Sequence, residues 1–168
     1  KKFMFYLLNF LELKKKIYTR DELHYINNYL EYQFKEVNIF INKNFKKNKV
    51  RLILKTKPYI NSTIDKILRK KSKLVFKKIN YQIMTKYSQN FVYIAELLIV
   101  NNNCTHLISK NSTSLYNTKV LNPKINIILL DRVLKKINNK LDFYNKKNIN
   151  YRSIYLHKFL KKINVKKI

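Results

Sequence analysis

The sequence predicts a domain of the α+β class, in which three strands pack under helices. Apolar residues recur every three or four positions in some stretches and every second position in others. These stretches follow one another in the order helix, strand, strand, helix, strand, helix. The chain has 168 residues, of which 46% are hydrophobic, and this is enough to bury the core of one domain.

The first apolar stretch, residues 3–13, reads FMFYLLNFLEL and is interrupted by Asn9 and Glu12. A membrane-spanning helix needs about 20 apolar residues, so this stretch is too short. A secretory signal would be followed by a small-residue cleavage site, and the sequence has none there. We expect residues 1–18 to form an N-terminal arm or an amphipathic helix that packs on a neighbour.

The motif TRDE at residues 19–22 has the spacing of a capping box. In such a motif the hydroxyl of Thr19 and the carboxylate of Glu22 satisfy free amides at the start of a helix. The apolar residues that follow share one helical face: Leu23, Ile26, Leu30 and Phe34. The sequence therefore predicts a helix over residues 21–35.

Two strands joined by a turn are predicted next. Apolar residues at every second position indicate the first strand: Val37, Ile39 and Ile41. Residues 42–49 (NKNFKKNK) form a basic turn, and residues 50–55 (VRLILK) alternate again. Pro58 ends this second run because it lacks the amide that a sheet needs. The short connection predicts an antiparallel hairpin.

A second helix, a third strand and a third helix complete the predicted domain. Ser62 or Thr63 can cap the second helix. Its apolar side is expected to contain Ile64, Ile67, Leu68 and Leu74, and its outer side Lys66, Arg69, Lys70, Lys71 and Lys73. The third strand is indicated by Ile79, Tyr81 and Ile83. Ser88 then caps a short apolar helix that ends near residue 100.

The remainder, residues 101–168, is predicted to be a loop and helical C-terminal extension. Residues 101–124 are polar and are predicted to form a loop. Residues 125–130 (INIILL) fit either a strand or the start of a helix that continues to residue 141. Residues 154–163 have the spacing of a final amphipathic helix.

The net charge points to the class of partner. The chain has 37 Lys and Arg against 9 Asp and Glu, a formal charge of +28. So much self-repulsion is tolerable when a polyanion neutralises it, so we expect a nucleic acid partner. Only five of the basic residues are arginines. Lysine is a point charge, which suits phosphate-backbone contacts better than the reading of base edges.

The composition also indicates the kind of genome. Lys, Asn, Ile, Tyr and Phe are abundant, while Gly and Trp are absent. This bias follows codons rich in A and T, as in a mitochondrial, plastid or reduced bacterial genome. Turns that need a positive φ must then use Asn, which tolerates that region better than other residues. Stretches such as residues 101–103 are therefore expected to be turns or helix ends.

We expect no enzyme activity, cofactor, metal or small-molecule substrate. Cys104 and His106 are close, but a zinc site needs three or four ligands, and His24 and His157 are the remaining histidines. The acids form no pair placed for acid–base chemistry, since Asp21 and Glu22 belong to a helix start. A phosphate loop is excluded because there is no glycine. The single cysteine excludes an internal disulfide.

The stretches INNYLEYQFKEVNIFI and KNKVRLILKTKP resemble the amino-terminal half of the ribosomal protein S-three family, whose members carry a type II KH domain. The family has a helix with an Ile-x-x-Tyr-Leu core, a strand of alternating Ile residues and a second strand that ends in Thr-Ala-Arg-Pro. These positions are filled here by Ile26, Tyr29 and Leu30, by Val37, Ile39 and Ile41, and by Thr56-Lys57-Pro58. Residues 79–83 and 92–95 look like the family's third strand and next helix.

The resemblance implies a type II KH-like domain over residues 19–100 of a structural protein of the small ribosomal subunit, in a mitochondrion or a plastid. Its partners would be ribosomal RNA in the subunit head, near the channel through which the messenger enters, and neighbouring small-subunit proteins. The family's C-terminal domain is not recognisable, so it is diverged or supplied by a separate chain. The Gly-x-x-Gly turn of KH domains is also missing after Pro58, so lysines rather than that turn would bind RNA.

The candidate RNA-binding residues lie in the predicted hairpin turn, on the second predicted strand, in the segment that follows this strand and on the second predicted helix. They are Lys43, Lys46, Lys47, Lys49, Arg51, Lys55, Lys57, Tyr59, Arg69, Lys70 and Lys71. Arg51 and Lys55 are expected on an exposed strand face, and Tyr59 either stacks on a base or packs against the protein. The alternatives are another RNA-bound organellar ribosomal protein, or a basic peripheral subunit of an organellar membrane complex.

Overall fold

The computed structural model describes residues 2–7, 18–56, 61–84, 95–101, 103–109, 113–130 and 166–167. These residues form a parallel sheet flanked by helices. The strands are β1 (Lys2–Leu7), β2 (Val50–Lys55), β3 (Asn80–Met84), β4 (His106–Ser109), β5 (Asn126–Leu129) and β6 (Lys166–Lys167). The helices are α1 (Arg20–Asn44), α2 (Ser62–Val75), α3 (Ala95–Asn101) and α4 (Thr113–Leu121), and a 3₁₀ turn, Lys47–Lys49, precedes β2.

The six strands lie in the order β3-β2-β1-β4-β5-β6, and every neighbouring pair is parallel. The chain therefore runs outward from β1 to β3 and returns to the other side of β1 at β4, as in doubly wound α/β folds. The prediction of mixed helices and strands is confirmed. The three-stranded KH-like arrangement is not confirmed, because the strands alternate with helices in one wide parallel sheet.

The two faces of the sheet are both apolar. In register, Met4 lies opposite Leu52 and His106, so these residues share a face. That face packs against α1 and α2 around the buried core residues Leu30, Phe34, Val37, Leu54, Leu68 and Ile108. The alternate strand residues Ile53, Leu107, Ile127 and Leu129 are buried too. The right-handed crossovers of parallel sheets place α3 and α4 over this second face.

The N-terminal segment was expected to be an arm over residues 1–18, and this is wrong for residues 2–7. They form β1, which lies between β2 and β4 in the middle of the sheet. The sequence KFMFYL suits this position because interior parallel strands are apolar without alternation. Met4 is fully buried.

The predicted strand at Val37, Ile39 and Ile41 is wrong, and with it the antiparallel hairpin. The capping box and the predicted helix are confirmed, but α1 continues to Asn44. Val37 and Ile41 are buried four residues apart on one helical face, whereas Ile39 is 56% exposed. Because Phe34 and Phe40 also face the core, packing of a helical stripe outweighs the β preference of these three residues.

The second helix and third strand are confirmed with local corrections. Asn61, rather than Ser62 or Thr63, caps α2 by accepting a hydrogen bond from the Thr63 amide at 2.9 Å. Leu74, expected in the core, is 52% exposed. The strand β3 pairs with β2 in parallel, with Arg51 opposite Asn80.

The end of α3 shows how this glycine-free chain makes a turn. Asn103 has a φ of 50°. The Cys104 amide bonds to the Ile99 carbonyl and the Asn103 amide to the Val100 carbonyl, both at 3.0 Å. This pair of bonds is a Schellman motif, which normally uses glycine at the left-handed position. The expectation that asparagine serves here in place of glycine is confirmed at Asn103.

The expected loop over residues 101–124 is wrong, because it contains β4 and α4. β4 has only four residues, HLIS, and all are buried. So short a run carries little periodic signal by itself and gains its stability from β1 and β5 on either side. The strand alternative for residues 125–130 is confirmed by β5. The predicted helices beyond Leu130 lie outside the described residues.

Candidate nucleic-acid interface

The charges of this chain are separated along the sequence. Four of the nine acids lie on α1: Asp21, Glu22, Glu31 and Glu36. Between residues 37 and 95 there are fifteen Lys and Arg and a single acid, Asp65. Among the described residues, the positive charge is therefore concentrated on the α1–β2 connection, α2 and the α2–β3 connection.

The sheet topology gathers one group of lysines at one edge. In a parallel sheet, the connections that lead from a helix into a strand all lie at the edge where strands begin. The connections before β2 and β3 are neighbours there, since these two strands are adjacent and strands lie about 4.8 Å apart. We call the five lysines of these two connections the basic rim: Lys46, Lys47, Lys49, Lys77 and Lys78. All are exposed except Lys47, which is half-buried.

A second group of basic residues lies along α2. Lys66, Arg69, Lys70 and Lys73 are exposed and are spaced three or four residues apart, so they share one helical face. We call these four residues the basic stripe. Its two ends are separated by about 10 Å along the helix axis. The opposite face of α2 is buried through Ile64, Leu68 and Ser72.

The stripe and the rim are continuous. Helix α2 ends at Val75, and the chain passes through Lys77 and Lys78 before entering β3. Cations at this end are also stabilised by the negative end of the α2 dipole. The single acid of α2, Asp65, bonds to Arg69 with 2.9 Å between Oδ2 and Nε, which neutralises the one carboxylate beside the stripe.

Four of the predicted site residues lie at the end of α1 and in its connection to β2, rather than in the hairpin turn that was expected there. Lys43 lies in the last turn of α1, and Lys46, Lys47 and Lys49 follow it in the connection to β2. Arg69 and Lys70 belong to the basic stripe. Lys57 and Tyr59 lie outside the described residues.

Lys71 is separated from the stripe although it is adjacent in sequence. Its side chain extends from α2 toward α1, where its Nζ donates a hydrogen bond to the Glu31 carboxylate. The same carboxylate accepts from Lys35, with 2.7 Å between Nζ and Oε1. These two ammonium groups lower the pKa of Glu31 to about 2 by hydrogen bonding to its charged form. Lys71 therefore joins two helices.

The expectation that Arg51 and Lys55 lie on an exposed strand face is wrong for Lys55. β2 is flanked by β1 and β3, and Lys55 is only 7% exposed. Its Nζ donates to the Thr56 carbonyl at 3.0 Å. Arg51 is half-buried, and its Nη2 donates to Oε1 of Gln82 on β3 at 3.2 Å. The alternating residues of VRLILK therefore lie on two covered faces of the sheet, rather than on one solvent-exposed face and one buried face.

The candidates predicted from the sequence omitted four exposed residues of the basic stripe and basic rim: Lys66, Lys73, Lys77 and Lys78. The signal for the first two was present, because Lys66 and Lys73 continue the helical spacing of Arg69 and Lys70. Lys77 and Lys78 could be placed only with the sheet order, which puts their connection beside the one before β2.

The opposite edge of the sheet, where strands end, is where doubly wound proteins bind nucleotides. In the described part of this edge, the N-terminus of α1 is already occupied by its own capping box. The Thr19 amide donates to Oε2 of Glu22 at 2.8 Å, and the Glu22 amide donates to Oγ1 of Thr19 at 3.2 Å. With Asp21 beside them, these carboxylates repel a phosphate. The sequence also has no glycine for a phosphate-binding turn.

Cys104 and His106, the two neighbouring residues that could ligate a metal, are both buried. The ring of His106 lies edge-on to Phe45 at 5.1 Å, and its Nδ1 is 2.9 Å from Oγ1 of Thr105. Burial raises the pKa of the Cys104 thiol to about 11. Within the described ranges, no three His, Cys, Asp or Glu residues cluster as metal ligands.

No protein-family model matches the sequence, and no curated protein matches it significantly. Of the helices in the part of the chain that the structure describes, none has the length and hydrophobicity required to span a bilayer.

Proposed function

We propose that this chain is a structural protein of the small ribosomal subunit that binds ribosomal RNA through its basic rim and basic stripe. The observation that supports this most is the separation of charge. Exposed lysines cover one continuous surface from α2 to the strand-start edge, whereas the acids of the described residues are mainly on α1. Such a surface matches a phosphate backbone.

The chemistry of binding follows from lysine. Each ammonium group that neutralises a phosphate releases condensed counterions, so affinity is high at low salt and falls steeply as salt rises. Lysine makes few geometric demands, and the one arginine of the stripe, Arg69, is already bonded to Asp65. The proposed binding is therefore insensitive to base sequence and depends on the path of the backbone.

The assembly (a ribosome) and the compartment (an organelle) are proposed from features of the sequence. The resemblance to the S-three family supports the small subunit as the assembly and neighbouring small-subunit proteins as further partners, although the residues matched to the family's first strand, Val37, Ile39 and Ile41, lie within α1 here. The same resemblance supports the proposed position in the subunit head, near the messenger channel. The A/T-biased composition supports a mitochondrial or plastid ribosome.

One structural observation favours a second candidate. The strand order is that of doubly wound folds that bind nucleotides. Fold alone does not imply function, however, and at the usual binding edge the N-terminus of α1 is occupied by its own capping carboxylate, with Asp21 beside it. RNA binding is better supported, because the exposed lysines of the described residues lie mainly on α2 and at the strand-start edge.

Crosslinking in the native organelle tests the proposal. A tagged chain is irradiated in place, the particles are separated by sedimentation in magnesium, and the RNA attached to the tag is sequenced. We expect the tag to sediment with small-subunit particles and to crosslink to their RNA. A tag found instead in a detergent-solubilised membrane complex, with no ribosomal RNA attached, would contradict the proposal and favour the membrane-subunit alternative.

A further inference from the structure

We infer that the basic stripe of α2 binds the phosphate backbone of a double-helical RNA segment, with the basic rim extending this contact around the strand-start edge of the sheet. The inference rests on the proposed RNA-binding function and specifies the form of RNA that this surface takes. Three features of the described residues support it: the regular spacing of the stripe, the absence of exposed Phe or Tyr rings and the pairing of two nearby acids.

The spacing of the stripe is regular because its residues lie on one straight element. The axial distances from Lys66 to Lys70 and from Lys70 to Lys73 are about 6 Å and 4.5 Å. The phosphates of one strand in a duplex also advance by a few Å per residue along the axis. A rigid row of charges therefore fits a rigid row of phosphates, which a duplex presents without the ordering cost of a flexible single strand.

Among the side chains whose burial the structure describes, no Phe or Tyr ring is exposed. The rings of Phe34, Phe40 and Phe76 are buried, and those of Phe45 and Tyr81 are half-buried against other rings. Proteins that bind single strands combine basic grooves with exposed rings on which bases stack. The described residues of the basic rim and basic stripe offer charge without an exposed Phe or Tyr ring, which suits backbone contacts with a duplex.

Two acids close to this surface, Glu31 and Asp65, are each paired with basic side chains. Glu31 on α1 is held between Lys35 and Lys71, and Asp65 is bonded to Arg69. Neither carboxylate is then left as a free negative charge close to an approaching phosphate. The exposed lysines Lys66, Lys70 and Lys73 remain available for the RNA.

The test uses the whole chain and two RNA probes with equal numbers of phosphates: a duplex of about 16 base pairs and an unstructured single strand. The stripe variant carries K66Q, K70Q and K73Q. A control variant carries R20Q and K124Q, which removes two exposed charges from other parts of the surface. Affinity is measured over a series of salt concentrations, and thermal unfolding verifies that both variants fold.

We expect the wild-type chain to bind the duplex more tightly than the single strand. The stripe variant should lose about a hundredfold in duplex affinity near 0.1 M salt, and its salt slope should fall by about 2 to 3, since each neutralised phosphate contributes about 0.9. The control variant should lose less than about tenfold. Lysine acetylation of the wild-type chain should show protection of Lys66, Lys70 and Lys73 by the duplex, which provides a readout without any substitution.

The outcomes separate this inference from the proposed function. If the wild-type chain binds RNA but prefers the single strand, or if the stripe variant loses no more than the control and the lysines are not protected, the duplex inference is overturned while RNA binding stands. If the wild-type chain binds neither probe at low salt, the proposed function itself fails.

Discussion

Lys71 of α2 donates a hydrogen bond to Glu31 of α1, forty residues earlier in the chain. This contact fastens the two helices that cover one face of the sheet. It also explains why neighbouring lysines on α2 have different roles. Lys70 is exposed on the stripe, whereas the side chain of Lys71 is only 15% exposed and is engaged with the protein.

The first prediction concerns this ion pair. E31Q should lower the free energy of unfolding by about 0.5–1 kcal/mol at pH 7, the upper part of the range for exposed pairs. The pKa of Glu31 is lowered from 4.5 to about 2, so its stabilising contribution is complete above pH 4.5 and disappears as the pH falls toward 2. Urea unfolding of both proteins at several pH values measures this difference.

The control for this prediction is E36Q, which removes an equal charge from the same helix. It should change the unfolding free energy by less than about 0.5 kcal/mol. If E31Q and E36Q had the same pH profile, Glu31 would not be the group that links α1 to α2.

The second prediction distinguishes a helix from a strand at residues 37–41. I41A should lower the unfolding free energy by about 2–5 kcal/mol because it leaves a cavity in the core, whereas I39A should change it by less than about 0.5 kcal/mol because Ile39 is exposed. A strand with period two would place both residues on one face, so equal losses in denaturant unfolding would argue against α1 as described.

The third prediction concerns Asn103. N103A should destabilise the protein by about 1 kcal/mol, because alanine is disfavoured at the positive φ that the Schellman motif requires. N103G should leave the stability within about 0.5 kcal/mol of the wild type, since glycine adopts this φ without strain. Thermal unfolding compares them, with N42A on the exposed side of α1 as the control. An N103A protein as stable as N103G would show that this turn does not need a left-handed residue.

The fourth prediction tests the basic rim. K46Q, K47Q and K49Q combined should lower the salt slope of RNA binding by up to about 2.7, because each phosphate that is no longer neutralised removes about 0.9 from it. Filter binding at several salt concentrations measures the slope. The variant R20Q and K124Q is again the control for charge removed elsewhere. An unchanged slope in the rim variant would remove the α1–β2 connection from the interface.

The local features of this protein could be predicted from short stretches of sequence. The capping box of Thr19 and Glu22, the cap region of α2 and the turn at Asn103 each depend on hydrogen bonds among residues a few positions apart. The helical stripe of α2 could also be predicted, since its basic and apolar residues alternate with helical spacing. Such signals are local, so they do not require knowledge of the rest of the chain.

The candidate site was predicted only in part for the same reason. Lysines in the α1–β2 connection were evident from their density in the sequence. Burial of Lys55 and the position of Lys77 and Lys78 depend on which strands flank β2 and β3, which no short stretch specifies. The pairing of Lys71 with Glu31 depends on how α1 and α2 pack together.

By itself, the sequence determined the excess of positive charge, the lack of glycine and the places where helices begin and turns form, because these follow from composition and short-range bonding. Only the tertiary structure decided that residues 2–7 are the central strand, that Val37 and Ile41 extend a helix, and that the sheet is parallel. The physical reason is that short apolar runs fit either a helix or a strand, and the burial available among distant neighbours selects between them.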